Sequence, residues 1–302
     1  MGKWDVLPGQ SGMSLLVFLK EKLGEGVSAK SIKRAIDAGK CFLNGKIERF
    51  SARLVGSGDR IAFEALPLSK KVESNPITDS TRILHKDKFL IAFNKPSGIS
   101  SDSGEILAGL QKSFGPLILL HRLDKETTGI LLFAREEAFA KEVEALFRKR
   151  AVKKTYLAIV DGRPAKSSGV VENFLARLHT CQGKSIWGAV SKEKGLPAKT
   201  SWEVKTKGKK ASLLICRPET GRTHQIRIHL SGIGHPILGD SQYGRAFACD
   251  YRPGRILLHA LEIAFVHPKT GEMIVLNAPL PEDFAQAISS LILETAVQDN
   301  NE

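Results

Sequence analysis

The chain has 302 residues and carries 45 Lys and Arg residues against 32 Asp and Glu residues, which gives a formal net charge of +13. This excess of positive charge favours a polyanionic partner such as nucleic acid or a membrane surface, and the length predicts two domains. The four cysteines are far apart and form no Cys-x-x-Cys pair, which argues against a zinc ribbon or a disulfide framework. At the start of the chain, residues 1–12 lack a signal-peptide pattern, and no later apolar stretch approaches the roughly 20 residues of a membrane span. We therefore expect a cytoplasmic protein.

The first predicted domain spans residues 13–64 and combines two short helices with strands. Leucine and phenylalanine at helical spacing predict a first helix that ends at Gly24, and Ser28 is a candidate cap for the second. The pair Asn44 and Gly45 predicts the tight turn of a hairpin, and another strand follows it.

The basic second helix of this domain carries Lys33 and Arg34. The order of its elements resembles the S-four-like (alpha-L) RNA-binding module, and the resemblance depends on Lys33, Arg34, Ile36, Gly39, Asn44, Gly45, Gly58, Asp59 and Ile61. It implies that Lys33 and Arg34 contact RNA. The alternative is a solvated basic helix without a ligand.

Residues 65–82 are rich in proline, serine and lysine and predict a linker, so that the second domain spans residues 83–293. A helix is expected at 136–150, and a terminal helix from Pro281 to about Leu293. Apolar runs predict strands at 89–93, 155–160, 200–206, 211–217, 256–266 and 273–277. Many strands with few helices predict an α+β domain, built on a large mixed, mostly antiparallel β-sheet with flanking helices.

A charged turn at residues 121–129 lies between two apolar runs and holds Arg122 and Asp124 two positions apart. Charges at the point where buried strands meet a turn form a candidate site, although Asp and Thr are also ordinary turn and cap residues. Further polar stretches follow: KTY at 154–156, TGRTHQIR at 220–227 and GDSQYG at 239–244.

Together with HRLD at 121–124, these stretches resemble the RluA family of pseudouridine synthases over about residues 84–280. The resemblance implies isomerisation of uridine in RNA: the bond from the sugar to a ring nitrogen is broken, and the detached uracil is rejoined through a ring carbon. No oxidation occurs, so neither a cofactor nor a metal is implied.

The same resemblance assigns roles to individual residues. Asp124 is the essential carboxylate and acts on the ribose as nucleophile or as base; Arg222 is the partner that keeps it ionised. Tyr156 stacks on the flipped target base, and Arg122 enters the RNA where that nucleotide leaves. Lys95 is placed near phosphate. The alternatives are that Tyr156 is a core tyrosine and that Lys95 is merely solvated.

The substrate implied by the appended N-terminal module is a large structured RNA, namely large-subunit (23S) ribosomal RNA, with transfer RNA as the alternative. We expect a monomer. Two other functions compete with the isomerase: an aspartyl-phosphate enzyme, which needs Mg²⁺ and further carboxylates near Asp124, and a non-catalytic RNA-binding or ribosome-assembly factor. The histidines of the later motifs match no zinc spacing, and we expect them to be structural.

Overall fold

The computed structural model describes residues 2–24, 27, 29–37, 39–48, 50–64, 80–181, 184–244 and 246–291. The chain divides into two compact units, Met1–Ser74 and Asn75–Glu302. The predicted cap Ser28 and most of the predicted linker at 65–82 lie outside the described residues, as do the last positions of the predicted terminal helix.

The N-terminal unit packs two helices on a four-stranded antiparallel sheet with the order β1-β4-β2-β3. Leu15, Phe18 and Ile32 are fully buried between the helices and the sheet. The Asn44 and Gly45 backbone has positive φ at both positions (53° and 81°), as a two-residue hairpin turn of type I′ requires. The elements are β1 (Gly2–Asp5), α1 (Leu15–Leu23), α2 (Ala29–Asp37), β2 (Cys41–Leu43), β3 (Lys46–Ile47) and β4 (Arg60–Phe63).

Strand β1 was not expected from the sequence, because Trp4 is its one large apolar residue. It pairs with β4 along its whole length, from Gly2 opposite Phe63 to Asp5 opposite Arg60. The N-terminal unit therefore begins before the predicted boundary at residue 13.

The second unit is an α+β structure on an 11-stranded, mostly antiparallel sheet. The path of the sheet is β11-β10-β12-β13-β9-β14-β8-β6-β5, with β15 against β14 and β7 against β8. Its strands are β5 (Ile83–Lys86), β6 (Leu90–Lys95), β7 (Ile118–Leu119), β8 (Thr128–Ala134), β9 (Lys153–Asp161), β10 (Ser168–Cys181), β11 (Lys184–Val190), β12 (Leu196–Lys207), β13 (Ala211–Pro218), β14 (Leu258–Val266) and β15 (Met273–Asn277). Its helices are α3 (Glu105–Phe114), α4 (Glu137–Arg148), α5 (Gln225–Gly232) and α6 (Glu282–Leu291). None of the described helices combines the length and apolar character that a membrane span requires.

The sheet register brings the ends of three elements together. In the centre of the sheet, Tyr156 on β9 pairs with Ala260 on β14, and Ala260 pairs with Gly129 on β8. Because Asp124 lies in the turn directly before β8, this ladder places the turn beside Tyr156. The loop after β13 and the start of α5 complete the same region, which is where the candidate site lies.

Candidate active site

A cleft of about 840 Å³ lies where the turn before β8, the start of β9 and the segment from β13 to α5 meet. Asp124 and Tyr156 line it together with the basic side chains of Arg122, Arg148, Arg150, Lys154 and Arg222. All of its lining residues belong to the second unit. The cleft therefore brings the Asp124 carboxylate and the Tyr156 ring together with several positive charges.

The Asp124 carboxylate forms an ion pair with Arg227, whose Nη1 donates to Asp124 Oδ2 at 3.2 Å. The Asp124 side chain is 24% exposed, whereas that of Arg227 is 6% exposed. A buried, permanently charged guanidinium therefore lies within hydrogen-bond distance of the Asp124 carboxylate.

Arg227 is itself held by a second carboxylate, that of Asp240. Arg227 Nε and Nη2 donate to the two Asp240 oxygens at 2.7 and 3.0 Å, and the Asp240 side chain is 1% exposed. Asp240 Oδ1 also accepts the backbone N–H groups of Gln242 and Tyr243. Burial lowers the pKa of Arg227, but the hydrogen bonds and charges of Asp240 and Asp124 outweigh burial and raise it. The guanidinium therefore stays charged and is held rigidly towards Asp124.

The ion pair expected for Arg222 is thus made by Arg227, which corrects the assignment from the sequence. Arg222 lies in the loop before α5, where its Nε donates to the Pro197 carbonyl at 3.1 Å. The helix begins at Gln225, so the second arginine of the TGRTHQIR stretch is the one that points back to Asp124 and Asp240. Arg222 remains a cation in the wall of the cleft.

Gln225 fixes the loop that carries Arg222. Its Oε1 accepts the Thr220 hydroxyl at 2.6 Å and the Arg222 backbone N–H at 3.0 Å. Its Nε2 donates to the Lys199 carbonyl and to Thr200 Oγ1 on β12. This buried amide therefore ties one wall of the cleft to the sheet.

Tyr156 and Arg122 both line the cleft, but in different environments. Tyr156 packs against two hydrophobic clusters, and burial together with the Asp124 charge raises the pKa of its hydroxyl. The Arg122 side chain is 67% exposed and pairs with Asp102 at 3.2 Å. The aromatic group is held in place, whereas the guanidinium of Arg122 is accessible to a partner.

The predicted RNA contacts in the N-terminal unit lie on α2. Lys33 is exposed on this helix, and the side chain of Arg34 lies outside the described residues. Both residues belong to the unit Met1–Ser74, whereas the residues that line the cleft belong to the second unit.

Lys95 does not lie on the surface, contrary to its expected position near phosphate. The residue is fully buried, and its Nζ donates to the carbonyls of Pro96, Ile99 and Lys125 at 3.0, 2.9 and 3.0 Å. Burial lowers the pKa of Lys95 to about 7, while the Asp124 charge acts in the opposite direction. Lys95 therefore joins the loop after β6 to the turn that carries Asp124.

Lys95→Met is expected to lower the free energy of unfolding by at least about 3 kcal/mol, because three carbonyls lose their shared donor at about 1 kcal/mol or more each. Urea denaturation measures this change. Lys125→Met is the control, since it removes an exposed side chain and leaves the Lys125 carbonyl in place. Unchanged stability of Lys95→Met combined with weaker RNA binding would support the phosphate contact instead.

The later histidines make hydrogen bonds within the protein. His229 bonds to Thr200 and Asn173, and His259 bonds to Thr128. Among the described residues, no group of three or more His, Cys, Asp or Glu side chains is arranged to hold a metal ion.

Several residues of the site were not identified from the sequence. The sequence motifs contain Arg227, His224, Asp240 and Tyr243 but assign none of the four a role in the isomerisation. The repeated arginine in TGRTHQIR and the carboxylate in GDSQYG were the available signals. They indicate a pairing only once α5 is known to begin at Gln225.

Comparisons with known proteins point to one family. Residues 89–232 match the family described as RNA pseudouridylate synthase. The chain is 32% identical over 307 aligned positions to a ribosomal large subunit pseudouridine synthase C of Vibrio vulnificus, with 95% of each chain covered. It is 32% identical over 291 positions to a ribosomal large subunit pseudouridine synthase D of Zymomonas mobilis, with 88% of this chain and 90% of that relative covered.

Among solved structures, the human RNA Pseudouridylate Synthase Domain Containing 4 matches with a TM-score of 0.58 and 30% identity, covering 69% of this chain and 92% of that one. The motifs, the sheet and these relatives lead to one assignment. The chain belongs to the RluA family of RNA pseudouridine synthases.

Proposed function

We propose that this enzyme converts specific uridines of large-subunit ribosomal RNA to pseudouridine, with Asp124 as its essential carboxylate. The observation that carries the proposal is the Asp240–Arg227–Asp124 arrangement, which holds the Asp124 carboxylate in a cleft that the Tyr156 ring also lines. Relatives that are similar over most of the chain are named ribosomal large subunit pseudouridine synthases, which supports the choice of substrate.

The reaction needs an anionic group at the ribose. The bond between C1′ and ring atom N1 breaks, the uracil turns, and a new bond forms between C1′ and C5; the proton on C5 is released and N1 gains one. An ionised Asp124 serves either as a nucleophile at C1′ or as a base towards a ribose proton. Both routes need the negative charge that Arg227 stabilises.

The surroundings of Asp124 suit a nucleotide that has been turned out of the RNA. Tyr156 provides an aromatic side chain for stacking on the flipped base. Arg122 is accessible and can stack on bases or donate to phosphate from one planar group. Phosphate contacts supply much of the affinity of such complexes; the candidates here are Arg148, Arg150, Lys154 and Arg222.

The N-terminal unit is proposed to act as an S-four-like RNA-binding domain. Its helix α2 carries the exposed Lys33 beside a buried apolar face that packs on the sheet. We further propose that the enzyme acts as a monomer. A ribosomal RNA substrate accords with a cytoplasmic location.

Pseudouridine mapping of total RNA tests this function, using cells without the gene that are rescued by the wild type, Asp124→Asn or Glu126→Gln. Specific uridines of large-subunit ribosomal RNA are expected to lose modification and to regain it with the wild type and with Glu126→Gln. The Glu126→Gln control removes an exposed carboxylate two residues from Asp124. Asp124→Asn is expected to restore none.

Two outcomes would contradict the proposal in different ways. Loss of modification in transfer RNA alone would support the isomerase activity but identify transfer RNA, not ribosomal RNA, as the substrate. An unchanged map, or rescue by Asp124→Asn, would favour the non-catalytic RNA-binding factor.

A further inference from the structure

His224 connects the Asp124 side of the cleft to Tyr243. Its Nδ1 lies 2.8 Å from the Tyr243 hydroxyl, and its Nε2 lies 4.0 Å from Asp124 Oδ2. The Tyr243 ring in turn lies 5.0 Å from the Arg227 guanidinium. His224 also lines the cleft, but it has no part in the roles proposed for Asp124, Tyr156 and Arg227.

The hydrogen bonds of Tyr243 determine which way its hydroxyl points. The Trp187 backbone N–H and the Gln242 amide nitrogen each lie 3.3 Å from the Tyr243 oxygen, and both are donors. A phenol oxygen accepts two hydrogen bonds and donates one. Among the described contacts, His224 Nδ1 is the partner left to accept the Tyr243 proton.

The orientation of the Gln242 amide is fixed independently of Tyr243. Gln242 Oε1 accepts from Arg227 Nη2 at 3.3 Å, and Gln242 Nε2 donates to the Ser185 carbonyl at 3.1 Å. Arg227 can only donate and a carbonyl can only accept. The amide nitrogen therefore faces Tyr243 as a donor, and the Tyr243 hydroxyl must donate its own proton to a different partner.

An imidazole that accepts at Nδ1 carries its proton at Nε2 when it is neutral. Burial lowers the pKa of His224, with the nearby charges adding opposed effects, and this favours the neutral ring. Burial also raises the pKa of Tyr243 to about 12, so its hydroxyl keeps its proton near neutral pH. The result is a neutral His224 with an N–H group at the Asp124 side of the cleft.

His224 has an unfavourable backbone conformation, which the surrounding contacts must stabilise. Its φ is 57°, in the left-handed region that non-glycine residues rarely adopt, directly before α5. Such conformations cost about 1 to 3 kcal/mol, persist where surrounding contacts fix them and concentrate at functional sites.

We infer that His224 is a further substrate-binding residue whose Nε2–H donates a hydrogen bond to an oxygen of the target uridine, and that Tyr243 is the positioning residue that fixes this tautomer. The inference rests on the proposed role of Asp124, because the uridine must lie against that carboxylate. At 4.0 Å the Nε2–H is too far from Asp124 for a hydrogen bond of its own. The uracil carbonyls and the ribose hydroxyls are the acceptors that a bound uridine brings there.

Nitrogen-15 NMR of the uniformly labelled full-length protein tests the tautomer without any RNA. His224→Gln identifies the His224 resonances among those of eight histidines by their loss. The wild type is expected to show the proton on Nε2, and Tyr243→Phe is expected to shift the resonances towards a mixture of tautomers. Ser231→Ala is the matched control: Ser231 Oγ donates to the Tyr243 carbonyl at 2.7 Å, so the variant loosens the same loop and keeps the hydroxyl.

A proton on Nδ1 in the wild type would overturn the inference. So would equal shifts in Ser231→Ala and Tyr243→Phe, because the hydroxyl would then have no specific effect. Since no substrate is present, these results stand even if the proposed function fails.

Single-turnover release of tritium from large-subunit ribosomal RNA labelled at uridine C5 tests the contact with the substrate. Glutamine can place an amide N–H near the position of Nε2, whereas asparagine places one near Nδ1. We expect His224→Asn to lose about 100-fold in rate, as for removal of one donor at a reacting centre, and His224→Gln to retain at least about 10-fold more activity than His224→Asn.

Equal rates for His224→Gln and His224→Asn would contradict the hydrogen bond from His224 Nε2 to the uridine. Absence of tritium release by the wild type would instead contradict the ribosomal RNA substrate, and the tautomer would still be decided by NMR.

Discussion

Arg227→Met is expected to reduce RNA isomerisation to the level of Asp124→Asn and to lower the free energy of unfolding by about 3 to 5 kcal/mol. The stability effect arises because Asp240, whose side chain is 1% exposed, keeps its charge or must take up a proton without its guanidinium partner. The activity effect arises because Asp124 loses the guanidinium that lies 3.2 Å away and positions its carboxylate. Tritium release and urea denaturation measure the two effects on the same preparations.

The double variant Arg227→Met with Asp240→Asn separates these effects. A neutral amide at position 240 needs no counter-charge, so we expect most of the lost stability to return while activity stays absent. Arg227→Lys is expected to lie between the wild type and Arg227→Met, because one ammonium cannot reproduce the two-point contact with Asp240 and reach Asp124 as well. Recovery of activity in the double variant would show that Arg227 serves stability alone.

Gly129→Ala is expected to lower the free energy of unfolding of the catalytic unit by more than about 4 kcal/mol. Losses of this size are exceptional and indicate a severe steric or electrostatic fault. Gly129 has a φ of 111°, and a Cβ atom there would lie 2.7 Å from the carbonyl carbon and 2.8 Å from the nitrogen of Ala260. These are backbone atoms of the neighbouring strand β14, so a side-chain rotation cannot relieve the clash. Thermal denaturation of the purified variant, or its recovery only in insoluble form, measures the effect.

Gly98→Ala is the control for Gly129→Ala. Gly98 has a similar positive φ of 89°, but a Cβ atom there would have no heavy atom within 4 Å beyond its chain neighbours. Its cost is the backbone preference alone, about 1 to 2 kcal/mol. If both variants lost the same stability, the close approach of β8 and β14 would not be the cause.

Much of the fold could be predicted from the sequence, because the buried strands consist of runs of apolar residues. The runs at 155–160 and 211–217 correspond to β9 and β13, and their order already indicated an α+β unit. Strand β10 lacks a period-2 pattern, because apolar stretches such as Val170–Val171 are interrupted by polar stretches such as Glu172–Asn173. Strand β11 joins Lys184 and Ser185 to a short apolar run that contains Gly188, and β1 has a single large apolar residue. Apolar patterns therefore indicate the central strands β9 and β13 better than they indicate β1, β10 and β11.

The site was predictable in its location and less so in its contacts. The stretches that hold Asp124, Tyr156 and the pair Arg222 and Arg227 do line one cleft. Which arginine faces Asp124 depends on the residue at which α5 begins, and that start lies inside a polar stretch without apolar periodicity. The burial of Lys95 depends on three carbonyls from two separate segments, which residue types alone do not reveal.

The sheet register also has a consequence for the order of events during synthesis of the protein. Strand β14 lies between β8 and β9, although it is made about a hundred residues after them. The centre of the sheet therefore stays incomplete until Leu258–Val266 has left the ribosome, and long-range pairing of this kind forms slowly. A nascent chain that already contains Asp124, Tyr156 and Arg227 still lacks the strand that joins β8 to β9. The enzyme thus becomes competent only after β14 has been synthesised and has paired with both β8 and β9.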